Sequence, residues 1–205
     1  LQGIEKAIVI PNMIDLDYIR NKSKEFFPYD RNNDDTKIIV TVSRLSPEKH
    51  TENAIYASEL LIKNGFLNFK WYIVGDGSEY NKLKLKICEK NLEDKIFLLG
   101  NQVNPYPYVK YADIYVHTSY VESQGIAILE AMSLGKICVV TKSEGALEFC
   151  KDEYNSFLCE QNSSDLYNVI IKVFNYDELE IKNNTDATVK VYMAQEIISK
   201  INDIL

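Results

Sequence analysis

Short apolar runs alternate along the chain with longer segments in which apolar residues recur at helical spacing. The apolar runs are nearly continuous, which is typical of strands that are covered on both faces. We predict strands at residues 7–10, 37–42, 70–74, 96–99, 113–117, 136–141 and 155–159. We predict helices at residues 46–64, 79–91, 125–135, 163–174 and 188–204, with further helix starts at 104 and 143. Ser163 or Ser164 is the expected cap of its helix.

Strand and helix therefore alternate about six times, which predicts an α/β fold. We expect a doubly wound, Rossmann-like parallel sheet of about six strands, with right-handed crossovers and helices on both faces. Residues 17–35 are polar and charged and are interpreted as a loop. In such sheets, ligands bind outside the carboxyl ends of the strands. Arg44, Gly75, Gly100 and Glu122 each follow a predicted strand, so we expect them at one edge.

Residues 117–135 read as a strand end, a loop and a helix that stops at Gly135. Gly125 permits close backbone approach where the helix begins, and the free N–H groups of a helix start attract anions. Glu122 and Glu130 stand eight positions apart, and a carboxylate accepts hydrogen bonds from a diol. This combination suits a ligand that is part phosphate and part polyhydroxyl, such as a nucleotide sugar. Taken alone, it also describes a buried turn with two solvated glutamates.

Composition narrows the function class. The chain has 205 residues, enough for one large domain or two small ones, and its net charge of −7 argues against a general nucleic-acid surface. Its four cysteines show no CxxC spacing, which indicates a reducing compartment and no metal site. We find no signal peptide and no apolar run of membrane-spanning length. The chain begins with Leu1 rather than Met, which indicates a fragment or a processed chain.

Two cations follow the strand at 37–42. Arg44 and Lys49 stand near a helix start, where positive charge is unfavourable, so an anionic ligand explains them better than solvation does. His117 ends a later strand, and we interpret it as a hydrogen-bonded strand-end histidine in preference to a ligand group. We interpret Tyr106 as a packing residue.

Residues 122–135, Glu-Ser-Gln-Gly-Ile-Ala-Ile-Leu-Glu-Ala-Met-Ser-Leu-Gly, resemble the signature of glycosyltransferase family 4, retaining enzymes of the GT-B fold. Residues 43–49 are similar to the family's Gly-Arg-Leu-x-x-x-Lys, and residues 75–77 to its Gly-x-Gly. The resemblance covers nearly the whole chain. Several positions depart from the family pattern: Met13, Ser43, His50 and Ser156 stand where glycine is usual, and Gln124 replaces phenylalanine. The polar Gln124 is expected to face the sugar.

The resemblance implies that residues 1–205 form one nucleotide-sugar-binding domain, the C-terminal half of the enzyme. Residues 1–16 would hold the interdomain linker and first strand, residues 188–205 would form the C-terminal helix, and the N-terminal acceptor domain would be absent. Arg44 and Lys49 would bind the donor diphosphate and Glu122 the transferred sugar, so these three are the catalytic candidates. The implied donor-binding set is Arg44, Lys49, Gly75, Asn101, Val103, Glu122, Ser123, Gln124, Gly125, Ile126, Ala127 and Glu130, of which Glu130 would hold the ribose.

The resemblance implies no metal and no other cofactor, because the cations take the place of the usual Asp-x-Asp pair. The expected donor is a UDP-sugar. The expected acceptor is a glycan or lipid-linked molecule of bacterial cell-surface polysaccharide synthesis, which the full-length protein would meet in the cytoplasm at the inner face of the membrane. Two alternatives stay open: a nucleotide-sugar epimerase of the same fold, and a non-catalytic binding module.

Overall fold

A six-stranded parallel sheet forms the centre of the described part of the chain. The structure is a computed structural model that describes residues 10–30, 35–176 and 179–202. The strands are β1 (Lys37–Val42), β2 (Phe69–Val74), β3 (Ile96–Leu98), β4 (Ile114–His117), β5 (Ile137–Thr141) and β6 (Phe157–Cys159), in the order β3-β2-β1-β4-β5-β6. The predicted fold class is confirmed. The strand predicted at 7–10 falls outside the described residues, except for Ile10, which is not in a strand.

Helices cover both faces of the sheet, as predicted. They are α1 (Leu16–Lys22), α2 (Glu52–Lys63), α3 (Tyr80–Glu89), α4 (Tyr106–Tyr111), α5 (Ile126–Ser133), α6 (Glu144–Leu147), α7 (Ser163–Phe174), α8 (Leu179–Val191) and α9 (Ala194–Asn202). Side chains of α2, α3 and α7 pack with Trp71 of β2 in one core cluster. Side chains of α1, α4 and α5 pack with Tyr115 of β4 in a second cluster. Because apolar residues point to both faces of the sheet, the strands read as continuous apolar runs.

The helix predicted at 46–64 is in fact two helices. A 3-10 helix covers Pro47–Lys49, and its cap His50 has a φ of 47°, in the left-handed region. This conformation turns the chain, so α2 begins only at Glu52. Histidine stands here at a position where the family has glycine, and glycine adopts such a φ freely.

The loop predicted at 17–35 contains helix α1. Asp15 caps this helix by accepting a hydrogen bond from the backbone N–H of Tyr18, at 2.9 Å. Only Ile19 is buried within α1, so its sequence shows hardly any apolar stripe. The cap, rather than a hydrophobic face, marks this helix in the sequence.

The prediction of one continuous helix at 188–204 is also wrong, because two helices share this segment. α8 begins earlier, at Leu179, and the chain breaks at Tyr192 and Met193 before α9 begins. At the break, the backbone of Ile14 donates to the Tyr192 carbonyl oxygen at 3.0 Å and accepts from the Ala194 N–H at 3.2 Å. The backbone thus exchanges helical bonds for bonds to a distant segment. Residues 203–205 lie outside the described part.

The cap predicted for α7 is corrected as well. Asn162 caps α7 through a bond from the Asp165 N–H, so neither predicted serine is the cap.

The crossover direction reverses between β1 and β4, which are neighbours in the sheet. At such a switch point the following loops run to opposite sides and leave a crevice between them. The loop after β1 carries Arg44 and Lys49, and the loop after β4 carries Glu122. Gly75 and Gly100 follow β2 and β3 at the same edge, and the Gly75 N–H donates to the Gly100 carbonyl oxygen at 2.8 Å. The prediction that these residues share one edge is confirmed.

Candidate functional site

A cleft in two parts opens at the carboxyl ends of β1, β2 and β4. The β4 lobe, of about 280 Å³, is lined by eight residues of the predicted set: Arg44, Lys49, Glu122, Ser123, Gln124, Gly125, Ile126 and Ala127. The β2 lobe, of about 510 Å³, is lined by Arg44, Gly75, Asn101 and Ala127 from that set. Val42, Ser43, Arg44 and Ala127 line both lobes, so the two are continuous. Their size is in the range of small-ligand sites.

The two predicted cations differ in their surroundings. Arg44 is exposed at the junction of the lobes, and its side chain makes no hydrogen bond or ion pair with the described residues. The Lys49 side chain is only 15% exposed, and its Nζ lies 2.7 Å from Oε2 of Glu122. Arg44 is therefore available to an anion, whereas Lys49 is already engaged with a carboxylate.

The Glu122 carboxylate accepts two hydrogen bonds in the cleft. Its Oε2 accepts from Lys49 and also from Nε2 of His117, at 2.9 Å. Burial alone would raise the pKa of Glu122, but the hydrogen bonds and charges of His117 and Lys49 outweigh it and lower the pKa to about 2. Glu122 is therefore a carboxylate at any physiological pH, and it can act only as an acceptor.

Backbone contacts dock the Lys49 turn onto the Glu122 loop. The Glu48 carbonyl oxygen accepts from the Tyr120 N–H at 2.9 Å, and the Lys49 carbonyl oxygen accepts from Thr118 Oγ1 at 2.8 Å. The His50 ring stacks on Tyr120, with 3.6 Å between the ring centroids and an interplanar angle of 10°. These contacts fix the separation of Lys49 and Glu122, residues that are distant in sequence.

The start of α5 opens on the β4 lobe. Its cap Gly125 has a φ of 69°, and no side chain caps the helix. The first helical N–H groups, at Ile126 and Ala127, thus meet the lobe at the positive end of the helix dipole. This is the anion-attracting arrangement that the sequence predicts.

Gly145 of α6 lies directly beneath the Glu122 loop. Its N–H donates to the Glu122 carbonyl oxygen at 3.1 Å. A Cβ at this position would stand 2.4 Å from the Glu122 carbonyl oxygen and 2.5 Å from that of Ser123. Gly145 is therefore a position that supports the Glu122 loop and that the sequence analysis did not single out.

Gly75 serves the packing of the backbone. Its φ is 140°, and an added Cβ would lie 1.8 Å from the Ser43 carbonyl oxygen. The loops after β1 and β2 can approach this closely only with glycine at this position. Gly75 lines the β2 lobe, but glycine is needed at this position mainly so that the two loops can pack together.

Glu130 lies about one turn of α5 after Ile126, and it lines neither lobe of the cleft. Its Oε1 accepts from the hydroxyl of Tyr106, at 2.9 Å. Burial raises the pKa of Glu130, and the bond from Tyr106 opposes this shift. Tyr106 therefore does more than pack, because its hydroxyl holds the Glu130 carboxylate.

Gln124 does not simply face the sugar region. Its side chain is buried, and its Oε1 accepts from the backbone N–H of Asn12 at 2.8 Å. Both residues line the β4 lobe. The amide thus ties the segment at residues 10–15 to the loop that carries Glu122, a contact that no local sequence pattern reveals.

The remaining predicted site residues differ in their position relative to the cleft. Asn101 lines the β2 lobe, whereas Val103 is fully exposed and lines neither lobe. His117 ends β4 and is hydrogen-bonded, as predicted, but its partner Glu122 was not predicted. Within residues 10–30, 35–176 and 179–202, no group of three metal-ligating side chains could hold a metal ion. No helix in this part of the chain is long and apolar enough to cross a bilayer.

Comparisons with known proteins place this chain among glycosyltransferases. The family model for glycosyl transferases group 1 matches residues 22–188. A poly(ribitol-phosphate) alpha-N-acetylglucosaminyltransferase of Staphylococcus aureus (strain COL) is 29% identical, over 96% of this chain and 39% of its own length. A UDP-Gal:alpha-D-GlcNAc-diphosphoundecaprenol alpha-1,3-galactosyltransferase of Escherichia coli is 30% identical, over 97% of this chain and 54% of its own length.

A solved structure shares the fold. The crystal structure of Anabaena Alr3699/HepE in complex with UDP and glucose superposes with a TM-score of 0.79 and 25% identity, over 96% of this chain and 56% of that one. The present chain therefore spans about two fifths to just over half the length of these three proteins. On the family match and the 30% identity across nearly its whole length, the chain belongs to the glycosyl transferases group 1 family.

Proposed function

We propose that this chain is the donor-binding half of a retaining glycosyltransferase of family 4. The enzyme transfers a sugar from a nucleoside-diphosphate sugar, most simply a UDP-sugar, to a glycan or lipid-linked acceptor. The observation that carries the proposal is the β4 lobe, where Arg44, Lys49, Glu122 and the start of α5 converge at the switch point of the sheet. The UDP and glucose named for HepE, and the UDP-Gal and diphosphoundecaprenol named for the Escherichia coli relative, support it.

The diphosphate occupies the junction of the lobes. Arg44 lies there, and the N–H groups of Ile126 and Ala127 lie in the β4 lobe with Lys49. Negative charge grows on the departing nucleoside diphosphate as the glycosidic bond breaks. Cations and helix N–H groups placed at that charge stabilise the transition state more than the ground state, which raises the rate.

The carboxylates of Glu122 and Glu130 bind the two sugar units of the donor, the transferred sugar and the ribose. Glu122 lines the β4 lobe, and its lowered pKa keeps it a carboxylate that accepts bonds from the transferred sugar and steadies its positive character. The family resemblance assigns the ribose hydroxyls to Glu130, which lies one turn along α5 from Ile126 and Ala127 and accepts from the Tyr106 hydroxyl. The nucleobase lies in the β2 lobe near Asn101. The retaining outcome rests on the resemblance of residues 122–130 to the signature of retaining enzymes.

Donor binding needs no metal in this proposal, because two cations and a helix dipole supply the positive charge. The acceptor binds to a preceding domain of the full-length enzyme, which works in the cytoplasm and meets lipid-linked acceptors at the inner membrane face. Isothermal titration of the chain with UDP in EDTA should give the same affinity as titration with added Mg²⁺. Binding that requires Mg²⁺ would contradict the metal-independent site.

Turnover by the full-length protein tests the function itself. Incubation with UDP-sugars and glycan or lipid-linked acceptors should give UDP and a glycoside with the donor's anomeric configuration. Interconversion of UDP-sugars without transfer would indicate an epimerase. Binding of UDP-sugar without either product would indicate a non-catalytic module.

A further inference from the structure

Two hydrogen-bond donors share one carboxylate oxygen in the cleft. Lys49 Nζ lies 2.7 Å and His117 Nε2 lies 2.9 Å from Oε2 of Glu122. A carboxylate accepts only, so His117 Nε2 is the donor and carries a proton. Among the described residues, no hydrogen bond to Oε1 of Glu122 is formed, which leaves that oxygen for a ligand in the lobe.

The two donors differ in freedom. His117 ends β4, its side chain is 3% exposed, and its ring has only two torsions. Its Nδ1 lies 3.4 Å from the hydroxyl of Tyr115, which also reaches the Val42 carbonyl oxygen at 3.2 Å. Lys49 has a flexible four-carbon side chain at the end of a 3-10 helix. His117 is thus a fixed partner of Glu122, and Lys49 a movable one.

We propose that His117 is a positioning residue that keeps Glu122 hydrogen-bonded while Lys49 moves from Glu122 to the donor diphosphate. This inference rests on the proposed function, in which Lys49 binds phosphate. The Glu122 side chain is only 12% exposed, so without His117 the departure of Lys49 would leave a buried carboxylate with no donor, which is costly. With His117 in place, Glu122 retains one charge-assisted bond when Lys49 leaves, so Lys49 can exchange partners at low cost.

The inference predicts a specific pattern of UDP affinities for the 205-residue chain. His117→Phe keeps a ring but removes the donor, so Lys49 becomes the only partner of Glu122 and leaves it reluctantly. UDP affinity should fall about tenfold to a hundredfold, the range set by one hydrogen bond to a charged group. His117→Gln, whose amide N–H can replace Nε2, should bind within about threefold of wild type.

The double variant separates positioning from general structure. Glu122→Gln removes the charge that holds Lys49, so it should bind UDP at least as well as wild type. In that background, His117→Phe should have no further effect, because there is no carboxylate left to satisfy. A loss caused by distortion of the loop would persist in the double variant and would overturn the inference.

Two further variants test whether misfolding, rather than loss of the hydrogen bond to Glu122, explains a lower UDP affinity. His117→Leu repeats the test if the phenylalanine variant does not fold. Thr41→Val breaks two buried bonds inside the sheet without touching Glu122. Thr41 Oγ1 donates to the Val116 carbonyl oxygen at 2.8 Å and accepts from Trp71 Nε1 at 3.0 Å. This substitution should lower stability and leave UDP affinity unchanged.

The outcomes for the two proposals differ. If wild type fails to bind UDP, the proposed function falls and this inference falls with it. If wild type binds UDP but the His117→Phe loss is absent, or remains with Glu122→Gln, only the role of His117 is wrong.

Discussion

Single alanine variants of Arg44 and Lys49 should weaken UDP binding alike but affect stability differently. Arg44 is exposed and makes no ion pair with the described residues, and its attraction to Glu48 is a minor one, so its removal should cost little in the folded chain. Lys49 pairs at 2.7 Å with Glu122, and the two side chains are 15% and 12% exposed. Lys49→Ala should therefore destabilise the fold as well as the complex.

The magnitudes follow from the burial of the pair. A hydrogen bond to a charged group contributes about 1.5–3 kcal/mol, so each variant should lose roughly tenfold or more in UDP affinity. Breaking a fully buried ion pair costs about 3–5 kcal/mol. Glu122 keeps its bond from His117 and some solvent, so we expect about 1–2 kcal/mol for Lys49→Ala. Arg44→Ala should stay within about 0.5 kcal/mol of wild type.

Calorimetry with UDP and urea unfolding at pH 7 measure the two effects separately. Lys142→Ala is a matched control, because Lys142 forms an exposed ion pair with Glu160 outside the cleft. It should change neither quantity beyond the small effect of a surface pair. Unchanged UDP affinity in both Arg44→Ala and Lys49→Ala would refute the phosphate assignment. Unchanged stability of Lys49→Ala would show that its pair with Glu122 contributes little.

Three further outcomes are expected. Glu130→Ala should weaken UDP binding about tenfold and leave pyrophosphate binding unchanged, as titration of both ligands would show; equal losses would remove the ribose assignment. Gly145→Ala should lower the free energy of unfolding by about 1–3 kcal/mol and weaken UDP binding, because its Cβ meets the Glu122 loop. The pKa of Glu122 is lowered from 4.5 to about 2 in the fold, so the ionised carboxylate stabilises the folded state by on the order of 3 kcal/mol above pH 4.5. This stabilisation is lost progressively as the pH falls from 4.5 through 2, because the carboxylate becomes protonated. Acid titrations of unfolding free energy should show that Glu122→Gln lacks this component.

The sheet was predictable because each strand is covered on both faces. A run such as Ile137–Thr141 is buried at every position, so the sequence shows an uninterrupted apolar stretch. Helix α1 was not predictable in this way, because only Ile19 is buried and the signal lies in the Asp15 cap. The break between α8 and α9 depends on bonds to Ile14, which lies far away in sequence.

The edge that holds the site was predictable, but its internal bonding was not. Parallel strands place their carboxyl ends together, which brought Arg44 and Glu122 to one cleft from topology alone. The bond between Lys49 and Glu122 spans 73 residues, and its length depends on how two loops dock. His117 lies five residues from Glu122, within local reach, yet a strand-end histidine has many alternative partners.

Two of the departures from the family pattern, His50 and Gln124, make contacts that tie segments of the fold together. Another, Ser43, has a buried hydroxyl with no hydrogen-bond partner among the described residues, as does Nδ1 of His50. His50 adopts the left-handed conformation that glycine would take, at a cost of about 1–2 kcal/mol, and its stacking on Tyr120 offsets part of that cost. That same contact joins the Lys49 turn to the Glu122 loop. Gln124 replaces an aromatic residue, and its buried amide oxygen holds the N–H of Asn12. Both replacements thus add a tie between the segments that line the β4 lobe, and neither fills the lobe or removes a cation from it.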